Sequence, residues 1–322
     1  MSSFGQGPSD PILKPRDLGQ LLDQSFKVFG RSWKPLIAIG LVAAIPSVIA
    51  GLMTLTMFPS LNSPDPMNNW FMRMFIAAER GDFSGVIAFF SVMGVMMIAF
   101  LLLVPLYMGA LIDVSARAVL YMEPVPLMES LRVGARRYWS LLGTYLLKGL
   151  IWIVALPVMV LAGLVIFSFI TVPLGSLSLL VVMVFANHAI IIEGRGGGMD
   201  ALKRAYELGR SRFWPLMGIG IVFYLLVYFV QMIIVMPFSF GTMIAVAFTE
   251  STALMGLQYV IQGATTAVAY PFLVMAQTLV YFDTRIRREG YDLEVMARQQ
   301  QAQEQEPQPV FTPPSPPEDP QR

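Results

Sequence analysis

Six runs of the chain are apolar almost without interruption, at about 35–58, 85–112, 140–169, 172–192, 214–236 and 256–283. A helix that crosses a hydrocarbon layer of roughly 30 Å needs about 20 apolar residues, and each run reaches that length with almost no charge. The runs are continuous rather than alternating, which disfavours the strands of a membrane barrel. The pattern predicts an all-α integral membrane protein, a six-span helical bundle.

The polar segments between the runs alternate in charge. Lys and Arg number five in residues 1–34, four in 113–139, five in 193–213 and five after 283, which makes 19; the 59–84 loop has two, and the turn near 170 and the 237–255 stretch have none. Basic segments stay on the cytoplasmic side, so both termini are expected there, and the span count must be even. Three joins between polar and apolar chain read alike: "FGRSWKPLIAIG" at 29–40, "GARRYWSLLGTY" at 134–145 and "GRSRFWPLMGIG" at 209–220. Arginine at the phosphate level, Trp or Tyr at the interface and then hydrocarbon is how a helix enters a cytoplasmic membrane face.

A short amphipathic segment precedes each join. Leu18, Leu21, Leu22, Ser25, Phe26 and Phe29 fall at helical spacing in the first, and Met199, Leu202, Ala205, Tyr206 and Gly209 in the third; the middle copy, Leu127 to Ala135, is shorter. Such helices lie in the headgroup plane. Leu22, Pro35, Leu36, Ile39 and Gly40 match Leu202, Pro215, Leu216, Ile219 and Gly220 without a gap. The expected architecture is three parallel repeats of an interfacial helix plus a two-span hairpin, related by an axis along the membrane normal. The chain then divides into a cytoplasmic N-terminal segment (1–34), a membrane domain (35–283), a basic juxtamembrane segment (284–298) and a Gln/Pro-rich tail (299–322). Seven Gln and seven Pro make that tail a disordered segment by expectation, and a possible place for a protein partner. The 237–255 stretch reads either as a re-entrant segment or as an extension of the fifth span.

Composition agrees with this class. Of 322 residues 56% are hydrophobic and 13% charged, about half the charge of a soluble domain. The net charge of +1 gives no electrostatic reason to expect a nucleic-acid partner. Cysteine is absent, which excludes disulfides and thiolate metal sites. The first 35 residues are polar, with Pro8, Pro11 and Pro15, and lack a signal-peptide core, so the first apolar run is expected to remain.

Catalytic signatures are scarce. His188 is the single histidine, and neither G-x-S-x-G nor H-E-x-x-H occurs, so no catalytic residue, metal or cofactor is assigned. Lys148 is the one charge well inside a span, where an ionisable group marks a candidate site unless it snorkels to the border. Asp113 stands as its possible partner, and Asn187 and His188 lie near the inner end of the fourth span. Gln231, Gln258, Gln262 and Gln277 could line a polar path or join helices. "EGRGGGMDAL" at 193–202 reads as a flexible link, or as a backbone cradle that holds a lipid phosphate with Arg195.

Three stretches carry a family likeness: "LGQLLDQSFKVFGRSWKPLIAIG", "IIIEGRGGGMDALKRAYELGRSRFWPLMGIGIVF" and "LVYFDTRIRREGYDLEVMARQ". Across roughly 15–298 the chain resembles the bacterial glycerophosphoryl diester phosphodiesterase membrane-domain proteins. In some members that membrane part is fused to a catalytic barrel with metal-binding histidines and carboxylates, for which these 322 residues leave no room. The resemblance therefore implies a multi-span bacterial inner-membrane protein and transfers no catalytic residue. It implies family-type border residues at Glu193, Arg210, Asp283, Arg285 and Glu289. With Arg195 and Arg212 these would form an Arg–carboxylate and phosphate network on the cytoplasmic face. The first functional expectation is a non-enzymatic accessory protein that meets anionic headgroups. The alternative is a small-solute or lipid transporter with a site near Lys148, and an intramembrane lipid-modifying enzyme comes third.

Overall fold

The computed structural model describes residues 15–57, 70–120, 126–163, 168–249 and 252–291. The N-terminal 14 residues and the chain from 292 on, including the expected tail at 299–322, lie outside the described residues. Among the described residues ten helices follow in order: α1 (Leu18–Met57), α2 (Trp70–Glu79), α3 (Ser84–Leu120), α4 (Leu127–Arg136), α5 (Tyr138–Ala162), α6 (Ser168–Met183), α7 (Ala186–Ile192), α8 (Met199–Arg210), α9 (Phe213–Thr249) and α10 (Thr252–Glu289). Among the described residues six helical segments are long and apolar enough to cross a membrane, with α6 and α7 together making the fourth. The protein is a multi-span membrane protein. A lipid-embedded backbone must satisfy its own hydrogen bonds, which is why the apolar runs are helical.

The order short amphipathic helix, long helix, long helix occurs three times. The first amphipathic segment is not a separate helix, as the sequence predicted, but the opening of α1. A kink at Ser32 (φ −111°, ψ 19°) sets it off from the span. Pro35 explains the kink, because it cannot donate back one turn. In the other units the breaks are complete, at Arg137 between α4 and α5 and at Ser211 and Arg212 between α8 and α9. Burial follows one register in all three. Ser25, Ser130 and Ala205 are fully enclosed, and Leu36, Leu141 and Leu216 are buried at the start of each span.

Several expected boundaries move. The third span ends at Ala162 with Gly163 as its cap, not at 169. The fourth, expected as one run over 172–192, is interrupted by a turn at Val184 and Phe185. The fifth runs on to Thr249, so 237–249 continues the helix and does not dip back. The 59–84 loop contains α2, whose Trp70 ring stands 4.9 Å from that of Phe89 on α3.

The long helices form a closed ring, α1 to α3, α5, α6, α9, α10 and back to α1, and α10 also reaches α3. First and last units therefore meet. Their seam is built on glycine: a Cβ on Gly40 would stand 2.0 Å from the Ala267 carbonyl oxygen, and one on Gly263 2.2 Å from Val48. Small residues let membrane helices approach to backbone contact. The deep core gathers at the basic end, from Val104 to Val119 on α3, Phe185 to Ile190, and Val274 to Phe282 on α10. The other halves of α3, α5 and α9 present large apolar side chains outward, as a lipid-facing surface does.

Gly40→Ala should lower the thermal stability of the full chain in lipid discs by about 1–3 kcal/mol, the usual cost of overpacking. Gly220, its repeat counterpart, has no neighbour within 4 Å of a Cβ, so Gly220→Ala should be neutral or slightly stabilising.

Candidate functional site

At the basic end, the second long helix of each unit ends in a carboxylate that grips an amphipathic segment of the next. Asp113 on α3 accepts from Ser130 Oγ on α4 (2.8 Å) and from Arg117 Nε one turn on (3.2 Å). Arg117 also reaches Glu129 on α4 at 2.7 Å. Gly134 makes the close crossing possible, because a Cβ there would stand 2.5 Å from the Leu106 carbonyl.

Glu193, just after α7, plays the same part for α8. Arg204 gives it a two-pronged bond, Nε to Oε2 at 2.8 Å and Nη2 to Oε1 at 2.9 Å. The same guanidinium holds Glu289 of α10 with Nη1 at 2.6 Å and Nη2 at 2.8 Å. The Tyr281 hydroxyl donates to Glu193. Arg285 lies 3.5 Å from Glu193 and 3.2 Å from Glu289, and its guanidinium stacks 3.9 Å from the Tyr291 ring centre. Burial works against a charged Glu193, but hydrogen bonds from Arg204 and Tyr281 overcome it and hold its carboxyl below the usual range. Burial likewise opposes the charge on Arg204, and its bonds to Glu289 and Glu193 outweigh that and raise it.

Asp283 on α10, 2% exposed, closes the ring. It accepts from the backbone N–H of Arg16 at the entry to α1 (2.8 Å), from Arg212 (2.9 Å) and from Arg287 (3.0 Å). Arg287 in turn donates to the Arg16 carbonyl at 2.7 Å.

The expected border residues thus divide. Glu193, Arg195, Arg285 and Glu289 share one cluster, with Arg195 Nε 3.1 Å from Glu193, and Arg212 and Asp283 share the adjacent one. Arg210 is exposed and takes no part in either. The hub, Arg204, was missed by sequence reasoning. Its signal was its place on α8, one helical turn from Ala201 and Leu208 on the buried stripe. The glycine run is a packing device and not a loose link: a Cβ on Gly197 would stand 2.3 Å from the Ser140 carbonyl, and Gly198 (φ 66°) donates its N–H to Thr144 Oγ1 at 2.7 Å. That N–H is therefore taken, which removes a donor from the expected phosphate cradle.

Deeper in the bundle, Lys148 does not meet Asp113, which Arg117 and Ser130 already occupy. Its Nζ donates to Asn187 Oδ1 at 3.0 Å, and Asn187 Nδ2 donates to the Tyr145 hydroxyl at 2.7 Å. His188 faces the other way, with Nε2 3.2 Å from Thr278 Oγ1 and its ring stacked on Tyr281 at 5.4 Å. Of the four glutamines, Gln258 ties α10 to Ser239 and Thr242 of α9, which is helix-to-helix bonding. Among the described residues no group of three or more His, Asp or Glu could hold a metal ion.

Comparison with family models, curated proteins and solved structures finds no match. The class of the protein rests on its helices.

Removing one partner of a buried ion pair leaves the other uncompensated, so Arg204→Met should cost about 3–5 kcal/mol in the unfolding free energy of the full chain. The pH dependence has a definite sign. A lowered carboxyl adds stability above its unfolded value, about 4.3, and loses it as pH falls through the folded value. Wild type should lose stability below that pH more steeply than Arg204→Met, as thermal melts across pH 3–7 would read.

Proposed function

We propose that this chain is a non-enzymatic protein of the bacterial inner membrane whose basic collar faces the cytoplasm and gathers anionic lipid headgroups as an accessory to a membrane process. The observation that carries this reading is the repetition of one exposed Trp at each border. Trp33, Trp139 and Trp214 are 48%, 78% and 73% exposed at the start of the three first spans. The amphipathic segments also turn apolar side chains outward, Phe26 in the first, Met128 in the second and Met199 and Tyr206 in the third. A membrane interface covers such side chains. Around them stand cations that the carboxylates do not use: Arg132, Arg136, Arg210 and Arg288 are exposed and have no bond or ion pair among the described residues. Each basic residue near an anionic leaflet contributes about 1 kcal/mol of attraction. Resemblance to the glycerophosphoryl diester phosphodiesterase membrane-domain family supports the same setting. A second reading, a small-solute or lipid transporter, draws on the Lys148–Asn187 contact.

Among the five tryptophans, a variant that keeps Trp214 alone isolates one border. In mixed discs, brominated phosphatidylglycerol should quench Trp214 more strongly than brominated phosphatidylcholine at equal mole fraction. Arg210→Glu with Arg136→Glu should remove the difference. Equal quenching by both lipids in the unmutated chain would refute headgroup gathering.

A further inference from the structure

The layer around Lys148 is rich in donors and poor in negative charge. Lys148 lies roughly 15 Å along α5 from Tyr138, well past the border. One of its three N–H donors goes to Asn187 Oδ1, and its Nζ is 5.4 Å from the Tyr145 ring centre. The Tyr145 hydroxyl accepts from Asn187, which leaves its own proton to donate. Tyr107 of α3 and Tyr270 of α10 stand with ring centres 6.1 Å apart. The three carboxylates at the ends of the second spans are committed elsewhere, Asp113 to Arg117, Glu193 to Arg204 and Asp283 to Arg212. Among the described residues none forms an ion pair with Lys148. An ammonium in apolar surroundings is costly until a negative partner arrives.

Part of this layer reaches the surface of the bundle. Lys148 and Tyr145 are only half-buried, and the same face of α5 runs on through Ile151 and Trp152, also half-buried. A donor set at one end of an apolar wall matches an amphiphile.

We propose that Lys148, Asn187 and Tyr145 form a binding site for one anionic oxygen group, a phosphate or carboxylate, with an acyl amphiphile as its carrier. The ammonium and the Tyr145 hydroxyl donate to the anion, and Asn187 holds both in place. The site is independent of the collar, being deeper and built from other residues.

Native mass spectrometry of the full chain, taken from phosphatidylglycerol-containing membranes into mild detergent, reads the site. Wild type should retain one tightly held anionic lipid. Lys148→Gln should lose it, Lys148→Arg should keep it, and losing a charge-assisted contact should weaken binding about tenfold or more. Asn187→Asp covers the case in which Lys148→Gln fails to fold. It keeps the side-chain shape, places a carboxylate beside the ammonium and should expel the lipid. Inorganic phosphate and glycerol phosphate form the soluble arm: a thermal shift in delipidated wild type that both variants lack, with no lipid retained, assigns the site to a soluble anion. Retention by Lys148→Gln and Asn187→Asp equal to wild type, with no phosphate-dependent shift, overturns the proposal. Arg136→Glu and Arg210→Glu should leave the retained lipid in place, so failure of the collar reading is seen separately.

Discussion

A carboxylate at the edge of an apolar bundle is stable only beside a donor or a cation, and three of them fasten this protein. Asp113, Glu193 and Asp283 each end a second span, and each reaches into the amphipathic segment of the following unit, through Ser130, Arg204 and the Arg16 backbone. Helix length makes this possible. At 37 and 38 residues, α3 and α10 exceed the roughly 20 that hydrocarbon requires, and the excess carries their charged ends beyond it. The collar therefore stands where partial hydration tempers the cost of burying charge, while the pairs remain enclosed enough to matter.

The collar also explains where the core lies. Pairing draws the basic ends of α3, α7 and α10 together, and the most enclosed side chains are found there, including Leu111, Ile190 and Tyr281. Away from the collar the helices have fewer side chains to bury, and lipid takes their place. The Gly40–Ala267 and Gly263–Val48 approaches hold the first unit to the last, so that the ring closes without a charged link at that depth. The result is a tightly packed charged end and a looser apolar end.

Much of the fold was legible in the chain because hydrocarbon imposes a simple rule on length and polarity. Six runs became six spans, and the repeat seen between Leu36 and Leu216 extends in the structure to Leu141. Boundaries were less legible where two local signals compete. The 237–249 stretch contains Pro237, Gly241 and polar residues, yet it stays helical, with Gln258 of α10 bonded to Ser239 and Thr242 there. Side-chain partners were least legible. Asp113 and Lys148 are the eye-catching opposite charges in neighbouring spans, but helix rotation gives one to Arg117 and the other to Asn187. Arg204 looked like one more solvated cation of α8, and only the approach of Glu193 and Glu289 from two other helices makes it a hub.

All of this requires that the three basic ends share one side of the membrane. Because the chain has no cysteine, single cysteines report topology cleanly. In right-side-out vesicles a membrane-impermeant maleimide should label a cysteine placed at Glu79, at the end of α2, and should leave cysteines at Arg136 and Arg210 unlabelled until the membrane is opened. Labelling of Arg136 and Arg210 positions from opposite sides, or of Glu79 and Arg210 positions from the same side, would contradict the six-span collar.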